Sequence, residues 1–420
     1  MMTTTTTRTE KTPRPSDPGA DARTPAPGEA LDFGETGVEA APYAEAPTRE
    51  EVSAQLAALR GRRVAVALSG GVDSAVAAHR LVEAGAQVVG LALRLHDPDP
   101  GNPLAPRACC PPDDLQDARR VAEQLGFPFY VIDARGAFDA EVVRPFVTSY
   151  LGGRTPNPCV GCNAFVKLER LHRRARALGC VGLATGHYAR VRPVPGAGQG
   201  TQLFAGADRA KDQSYFLFGT APAILRDLVF PLGASTKDEI RAEALATGLP
   251  VAHKLESQEV CFVGGAGAGG FVLRQPEAQG DHAGPIVDES GAQIGTHSGI
   301  AGYTVGQRKG LGVAAPHPLH VLSIHPDSKT LVAGPAKRLM KSGLVAKNAS
   351  WPAGVPEGPV RARVRIRYRD AGTEGWVHPE GEGAKVTFDA PVKAISPGQA
   401  AVFYRGDEVL GGAWIEGALD

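Results

Sequence analysis

Val64-Ala-Val-Ala-Leu68, followed by Ser69-Gly-Gly-Val-Asp-Ser74 and the helical stretch Ala75 to Ala84, decides the fold of this chain. The first run is short and apolar, as a buried strand is, and the helix stops at Gly85. A second buried strand, Val88 to Leu95, completes a βαβ unit. The alternation continues with a helix over 114–125, a strand over 129–132, helices over 138–150 and 165–178, and a strand over 181–185. Strands alternating with helices imply a doubly wound parallel α/β sheet covered on both faces.

The loop between strand and helix carries the first chemistry. Gly70 and Gly71 allow a tight bend and close approach to a ligand, Ser69 and Ser74 supply hydroxyls, and amides at a helix start attract an anion. Asp73 would repel phosphate, so its presence argues for Mg²⁺ between them. The loop has neither the Gly-x-x-x-x-Gly-Lys-Ser/Thr pattern nor Gly-x-Gly-x-x-Gly.

Residues 1–58 read as a disordered tail that begins with the Thr3 to Thr7 run. After 62–265, the character shifts to short strands among Gly and Pro turns: a small β-rich domain over 266–340, then a β-barrel over 341–420. Gly264 to Gly270 reads as a flexible joint. Lys plus Arg equals Asp plus Glu, at 45 each, so attraction to nucleic acid must come from local patches. With no long apolar run and no signal-like segment, a cytoplasmic protein with no membrane partner is expected.

Six cysteines are too few to scaffold a chain of 420 residues. Cys159-Val-Gly-Cys162 stands just before the helix expected at Phe165, with Asn163 as its cap. A thiol there would have more thiolate, which suits a nucleophile. Half of a zinc site and an incidental turn remain open readings. Cys261, taken alone, reads as a buried small hydrophobe, but beside the glycine segment it would be a mobile thiol. Arg361-Ala-Arg-Val-Arg-Ile-Arg-Tyr-Arg369 puts five arginines on one face of a strand with no interleaved acid. Phosphate binding is expected there, and the plainer alternative is a charged edge strand. The Arg170 to Arg176 cluster reads as a solvated helix face, and His187 as structural or catalytic with equal warrant.

The loop hexapeptide resembles the signature of the N-type ATP pyrophosphatases, of the adenine-nucleotide alpha-hydrolase type of fold. With Ala108-Cys-Cys, Asp114 to Arg119, Gly152 to Pro158, Cys162-Asn163, Ala184 to Tyr188, Lys211 to Phe216, Ser257 to Phe262, Thr304 to Gly312 and Ser396 to Gln399, the order of motifs from residue 62 onward is similar to that of the tRNA-specific 2-thiouridylases. The resemblance implies adenylylation by ATP of C2–O of the wobble uridine (U34) in tRNA, and replacement of that oxygen by sulfur from a cysteine persulfide. Cys162 would be the nucleophile and Cys261 the persulfide carrier, the two closing a disulfide as sulfur leaves. Ala67, Leu68, Ser69, Gly70, Gly71, Val72, Asp73, Ser74, Leu93 and Gly186 would hold ATP. Asn157, Pro158 and Cys159 would meet the target base, and Lys211, Asp212, Gln213, Arg367 and Tyr368 would contact tRNA. A sulfur-relay or cysteine-desulfurase protein would be the donor. Many family members have Asp where Cys159 stands, which leaves the acid–base group open. Cys159, Cys162 and Cys261 could alternatively ligate an iron–sulfur cluster. The competing readings are an amidotransferase-type ligase acting on a small metabolite and a non-catalytic tRNA-binding protein.

Overall fold

In the computed structural model, which describes residues 44–97, 112–194, 200–255, 260–265, 267–280 and 282–420, the chain enters at helix α1 (Arg49–Ala57). This corrects the last part of the expected tail; residues 1–43 lie outside the described residues. Thr48 and Glu51 form a capping box. Arg192 pairs with Glu51 at 2.9 Å and Arg49 with Glu239 at 2.7 Å, while Arg190 donates to the Pro47 carbonyl. Only Val52 and Leu56 of α1 are buried, too weak a periodicity to stand out against the polar residues before it.

Five parallel strands follow the expected doubly wound pattern. β1 (Arg63–Ala67), α2 (Val72–Glu83), β2 (Gln87–Arg94), α3 (Pro112–Leu125) and β3 (Phe129–Asp133) build one half. Next come α4 (Arg135–Phe138), α5 (Arg144–Leu151), α6 (Pro158–Gly161), α7 (Leu168–Ala177), β4 (Leu183–Ala184), the hairpin β5 (Ala189–Pro193) and β6 (Thr201–Ala205), α8 (Pro222–Arg226), β7 (Leu228–Val229) and α9 (Lys237–Ala246). The parallel order is β3-β2-β1-β4-β7, so the winding reverses between β1 and β4. Val64 and Val66 face a core shared with α2, α3 and α9, while Ala65 faces the opposite core shared with α7.

Helix α6 starts at Pro158, which is well suited to the first helical position, and runs through a π-helical stretch, Cys162–Lys167, into α7. The expected start at Phe165 is therefore too late. Asn157, not Asn163, occupies the cap position, and Cys162 lies a turn inside the helix.

The glycine segment is not a loose joint. Gly267–Leu273 forms helix α10, whose Val272 is buried against Phe146 and Tyr150 of α5 and against Ala301. A Cβ on Gly269 would come within 2.7 Å of the Gly302 Cα, so here glycine serves close packing. β8 (Gly284–Val287), β9 (Gln293–His297), β10 (His320–His325) and β11 (Thr330–Gly334) make a four-stranded sheet around Ile286, Val321 and Leu331.

β12 (Met340–Ser350), β13 (Val360–Arg365), β14 (Thr373–Glu380), β15 (Gly383–Lys393), β16 (Ala400–Arg405) and β17 (Glu408–Leu419) form the antiparallel barrel, closed by the pairing of β12 with β17. β6 pairs with β17, so the hairpin β5–β6 extends the barrel sheet. The arginine strand ends at Arg365, which places only Arg361, Arg363 and Arg365 on it. Ala362, Val364 and Ile366 point into the barrel core as the alternation requires. The arginines are also not uncompensated: Asp389 receives a bidentate pair from Arg361 and Asp212 pairs with Arg365, acids contributed by other segments. Arg361 in turn holds the Asp389 carboxyl below its usual range.

The phosphate loop separates two uses of glycine. Gly70 has φ of 72°, and a Cβ there would lie 2.1 Å from the Asp114 carbonyl oxygen. Gly71 is extended, and its Cβ would meet only Ser69 Oγ at 3.5 Å. Gly70→Ala is therefore expected to cost on the order of 1–2 kcal/mol for the left-handed backbone alone, plus the clash, and to lower Tm clearly. Gly71→Ala should melt with the wild type and lose only nucleotide affinity. Calorimetry with nucleotide titration separates the two, and equal Tm values for both variants would contradict this division.

Candidate functional site

The strand order reverses between β1 and β4, and in open parallel sheets ligands bind outside the carboxyl ends of strands at such a point. Ala67 ends β1, Leu68 to Ser74 follow it, Leu93 lies near the end of β2, and Gly186 follows β4. Gly186 sits so close to the Asp73–Ser74 backbone that a Cβ would lie 2.8 Å from the Ser74 nitrogen. Ser74 Oγ donates to the Gly71 carbonyl at 2.9 Å and accepts from the Ser69 amide at 3.2 Å, which fixes the loop's curvature.

Two lysines that sequence reading did not single out converge on this loop. Lys237, at the start of α9 and buried, donates to both Asp73 oxygens at 2.7 and 2.9 Å, and the Tyr188 hydroxyl donates to Oδ1 at 2.8 Å. Lys254 donates to the Gly70 carbonyl at 3.0 Å and to Asp117 at 2.6 Å, and also pairs with Asp114. Burial lowers the Lys254 pKa, but its bonds to Asp114 and Asp117 outweigh that and raise it. Lys237 thus partly balances the Asp73 charge from which Mg²⁺ is expected. No local pattern marks Lys237 or Lys254; both reach the loop from far along the chain.

His187 accepts or donates to Thr185 Oγ1 at 2.9 Å and meets the Phe230 ring edge-on. Burial, with a smaller push from Lys167, takes its pKa down to about 4. It is a neutral imidazole at physiological pH.

The thiols lie on a different wall of the same region. Cys162 is 5% exposed and belongs to the core cluster that contains Leu93 and Phe138; Ala67, Cys261, Phe216 and Tyr368 pack against that cluster from its edge. Phe262 meets Phe138 at 5.6 Å and Phe146 at 5.1 Å, so Cys261 is carried by an anchored aromatic neighbour. Among the described residues no three His, Cys, Asp or Glu side chains form a group that could hold a metal ion, so Cys159, Cys162 and Cys261 do not fit a cluster here. Cys109, Cys110 and the 256–259 part of the Cys261 motif lie outside the described residues. Cys180 is a buried thiol whose pKa burial raises.

Three of the ordered motifs turn out to touch one another. The Thr155 amide donates to the Pro397 carbonyl at 2.8 Å, Gln399 Nε2 donates to the Thr155 carbonyl at 2.8 Å, and the Thr155 and Thr304 hydroxyls lie 3.2 Å apart. Gly398 approaches so closely that a Cβ would lie 3.1 Å from the Thr155 backbone. The chain leading to Asn157, Pro158 and Cys159 is thus gripped by both later domains.

Of the residues expected to meet tRNA, Lys211 and Gln213 are half-buried, but Asp212 is 5% exposed. Its carboxylate accepts from the Gly206 and Ser214 amides and from Arg365, which makes it a support. Gln213 Oε1 accepts the Tyr188 amide. Arg367 is exposed and donates to the Ala394 carbonyl, while Tyr368 lies 4.3 Å from the Phe216 ring. Because the strand stops at Arg365, Arg367 and Tyr368 are free of strand alternation. In α7, Arg173 pairs with Glu169 on the solvated face, while His172 hydrogen-bonds the part-buried Asp227.

Three family descriptions match in succession: "tRNA methyl transferase HUP domain" over residues 62–265, "tRNA methyl transferase PRC-barrel domain" over 275–335 and "Aminomethyltransferase beta-barrel domain" over 341–415. The tRNA-specific 2-thiouridylase MnmA of Geobacter metallireducens is 46% identical, over 85% of this chain and 98% of that one. That of Sorangium cellulosum is 47% identical, over 86% and 93%. Among solved structures, NMN synthetase from Francisella tularensis is 19% identical over 49% of this chain, with a TM-score of 0.31, too low to bear on fold or function. Near-full-length identity at this level, on a chain whose ordered motifs converge around one loop and two thiols, means that the protein belongs to the tRNA-specific 2-thiouridylase family.

Proposed function

We propose that this enzyme thiolates C2 of the wobble uridine of tRNA in two stages. In the first, uridine O2 attacks the α-phosphorus of ATP as N3 gives up its proton, and pyrophosphate leaves. The Ser69 to Ser74 loop would hold the phosphates, with Leu93 and Gly186 on the adenosine. Lys237 and Lys254 supply positive charge where the pyrophosphate forms. Asp73, whose oxygens also accept from Lys237 and Tyr188, would be the residue to hold a magnesium ion on the phosphates, and no step is routed through it.

In the second stage, the terminal sulfur of a Cys261 persulfide attacks C2 and AMP leaves with the former O2. The Cys162 thiolate then attacks Cys261 Sγ, closing a Cys162–Cys261 disulfide and leaving sulfur on C2, and N3 regains a proton. A donor protein loads Cys261, and an external thiol reopens the disulfide. The reading rests on one observation: Cys162, Cys261 and the loop-side Ala67 and Leu93 border the same apolar cluster, with Phe216 and Tyr368 at its edge. An apolar wall excludes the water that would otherwise hydrolyse an adenylylated base. Asn157, Pro158 and Cys159 at the helix start would meet the base, and Lys211, Gln213, Arg367 and Tyr368 the rest of the tRNA. Asp212 acts there by holding Arg365.

With ATP, Mg²⁺, a cysteine desulfurase with cysteine, and unmodified tRNA, the wild type should form 2-thiouridine, detected by mass spectrometry of digested RNA. Cys162→Ser and Cys261→Ser should form none while still releasing pyrophosphate in a tRNA-dependent manner. If neither replacement affects thiolation, the thiol assignment is wrong; if pyrophosphate release needs no tRNA, the small-metabolite ligase reading gains. Lys237→Met should reduce pyrophosphate release by an order of magnitude or more, since removing an aligned charge costs about 2–4 kcal/mol of transition-state stabilisation. Full retention of pyrophosphate release would remove Lys237 from the site.

The His187 shift has a signed consequence. With its folded pKa near 4 against an unfolded value of 6.5, the unfolded chain binds the proton first, so stability falls as pH drops through that window. Tm should decline between pH 6.5 and 4 less steeply in His187→Gln than in the wild type. Parallel profiles would mean that His187 is not held neutral.

A further inference from the structure

Asn163 is 6% exposed, and its Oδ1 is buried with no hydrogen-bond partner. Leaving a buried amide acceptor unpaired is costly, so such a group in an ordered helix needs either a compensating role or a ligand. Its setting points to a ligand. Asn163 follows Cys162 directly on the π-helical stretch, which packs against α4. Phe138 of α4 touches Phe262, the neighbour of Cys261. The turn that leads into this helix is the one gripped at Thr155 by Pro397 and Gln399. Asn163 thus stands one residue from the nucleophile, on a helix whose entry is held in place.

We propose that Asn163 is a positioning residue that reads the imide edge of the target uracil. Its Oδ1 accepts the N3–H, and its Nδ2 donates to O4, which turns C2 and O2 toward Cys162 and the nucleotide. The amide and the uracil imide are complementary donor–acceptor pairs, the kind of edge recognition used on unstacked RNA bases. Cytosine has an acceptor at N3 and a donor at C4, so it presents the opposite pattern to the amide in this orientation. The inference rests on the thiolation reading, because it needs a uracil beside Cys162. It assigns to Asn163 a contact made before adenylylation, since N3 has lost its proton once O2 is bonded to phosphorus.

The test is binding, without ATP, of three anticodon stem-loops carrying uridine, cytidine or 3-methyluridine at the target position, measured by fluorescence anisotropy. The wild type should bind uridine roughly ten- to hundredfold more tightly than 3-methyluridine, the range that such a pair is worth. Asn163→Ala should lose that factor on uridine and no longer discriminate. Asn163→Asp, which keeps the shape and the acceptor, should retain the preference for uridine over 3-methyluridine, and it decides the matter if the alanine variant does not fold. Unchanged discrimination in Asn163→Ala, or an aspartate variant that behaves like alanine, would overturn the proposal. A wild type that discriminates through Asn163 yet forms no 2-thiouridine with ATP and persulfide would instead sink the thiolation reading and leave the contact standing.

Discussion

The backbone of Thr155 is the point on which the arrangement depends. Its amide and carbonyl need partners, and a turn between helices offers none of its own. They are satisfied by the Pro397 carbonyl and by Gln399, both from the barrel, while the hydroxyl meets Thr304 of the middle domain. A neighbouring turn residue, Gly153, packs so closely on Ile324 that a Cβ would lie 2.8 Å from it. Arg154 adds an ion pair with Glu416. One short stretch thereby ties three domains to the start of the helix that carries Cys159, Cys162 and Asn163. A shift of the barrel would pull on that helix directly, so the barrel and the thiol-bearing helix share one mechanical link.

The strands and the bend of the loop were legible because each rests on local sequence. A continuous apolar run reads as a buried strand, and Ser-Gly-Gly at a strand end reads as a bend onto a helix. What escaped was non-local. Lys237 and Lys254 approach Asp73 and Gly70 from more than a hundred residues away, and Asp212 and Asp389 reach the arginine strand from other segments. Five arginines in alternation therefore looked unbalanced in one dimension although two of them are paired in three. The same limit explains the glycine segment at α10. Glycines permit flexibility and close packing alike, and only the position of Gly302 decides between them. The family resemblance supplied the thiol roles, which neither Cys-x-x-Cys spacing nor a lone Cys261 contained.

Placing Cys162 a turn inside the helix, rather than at its start, alters the physical account of its reactivity. The helix-terminal field falls off within the first turn, so Cys159, at the second helical position, feels it more than Cys162 does. The surroundings of Cys162 are instead apolar: Val160, Val166 and Leu168 lie in the same cluster. Burial of that kind shields the sulfur from water. In the proposed sequence an apolar setting is an advantage, because it keeps water away from the adenylylated base. The thiolate is needed only at the last step, when the Cys261 disulfide sulfur is in place and AMP has left. Cys159, at the second helical position and half-buried, is the thiol of the two that stands nearer the helix start.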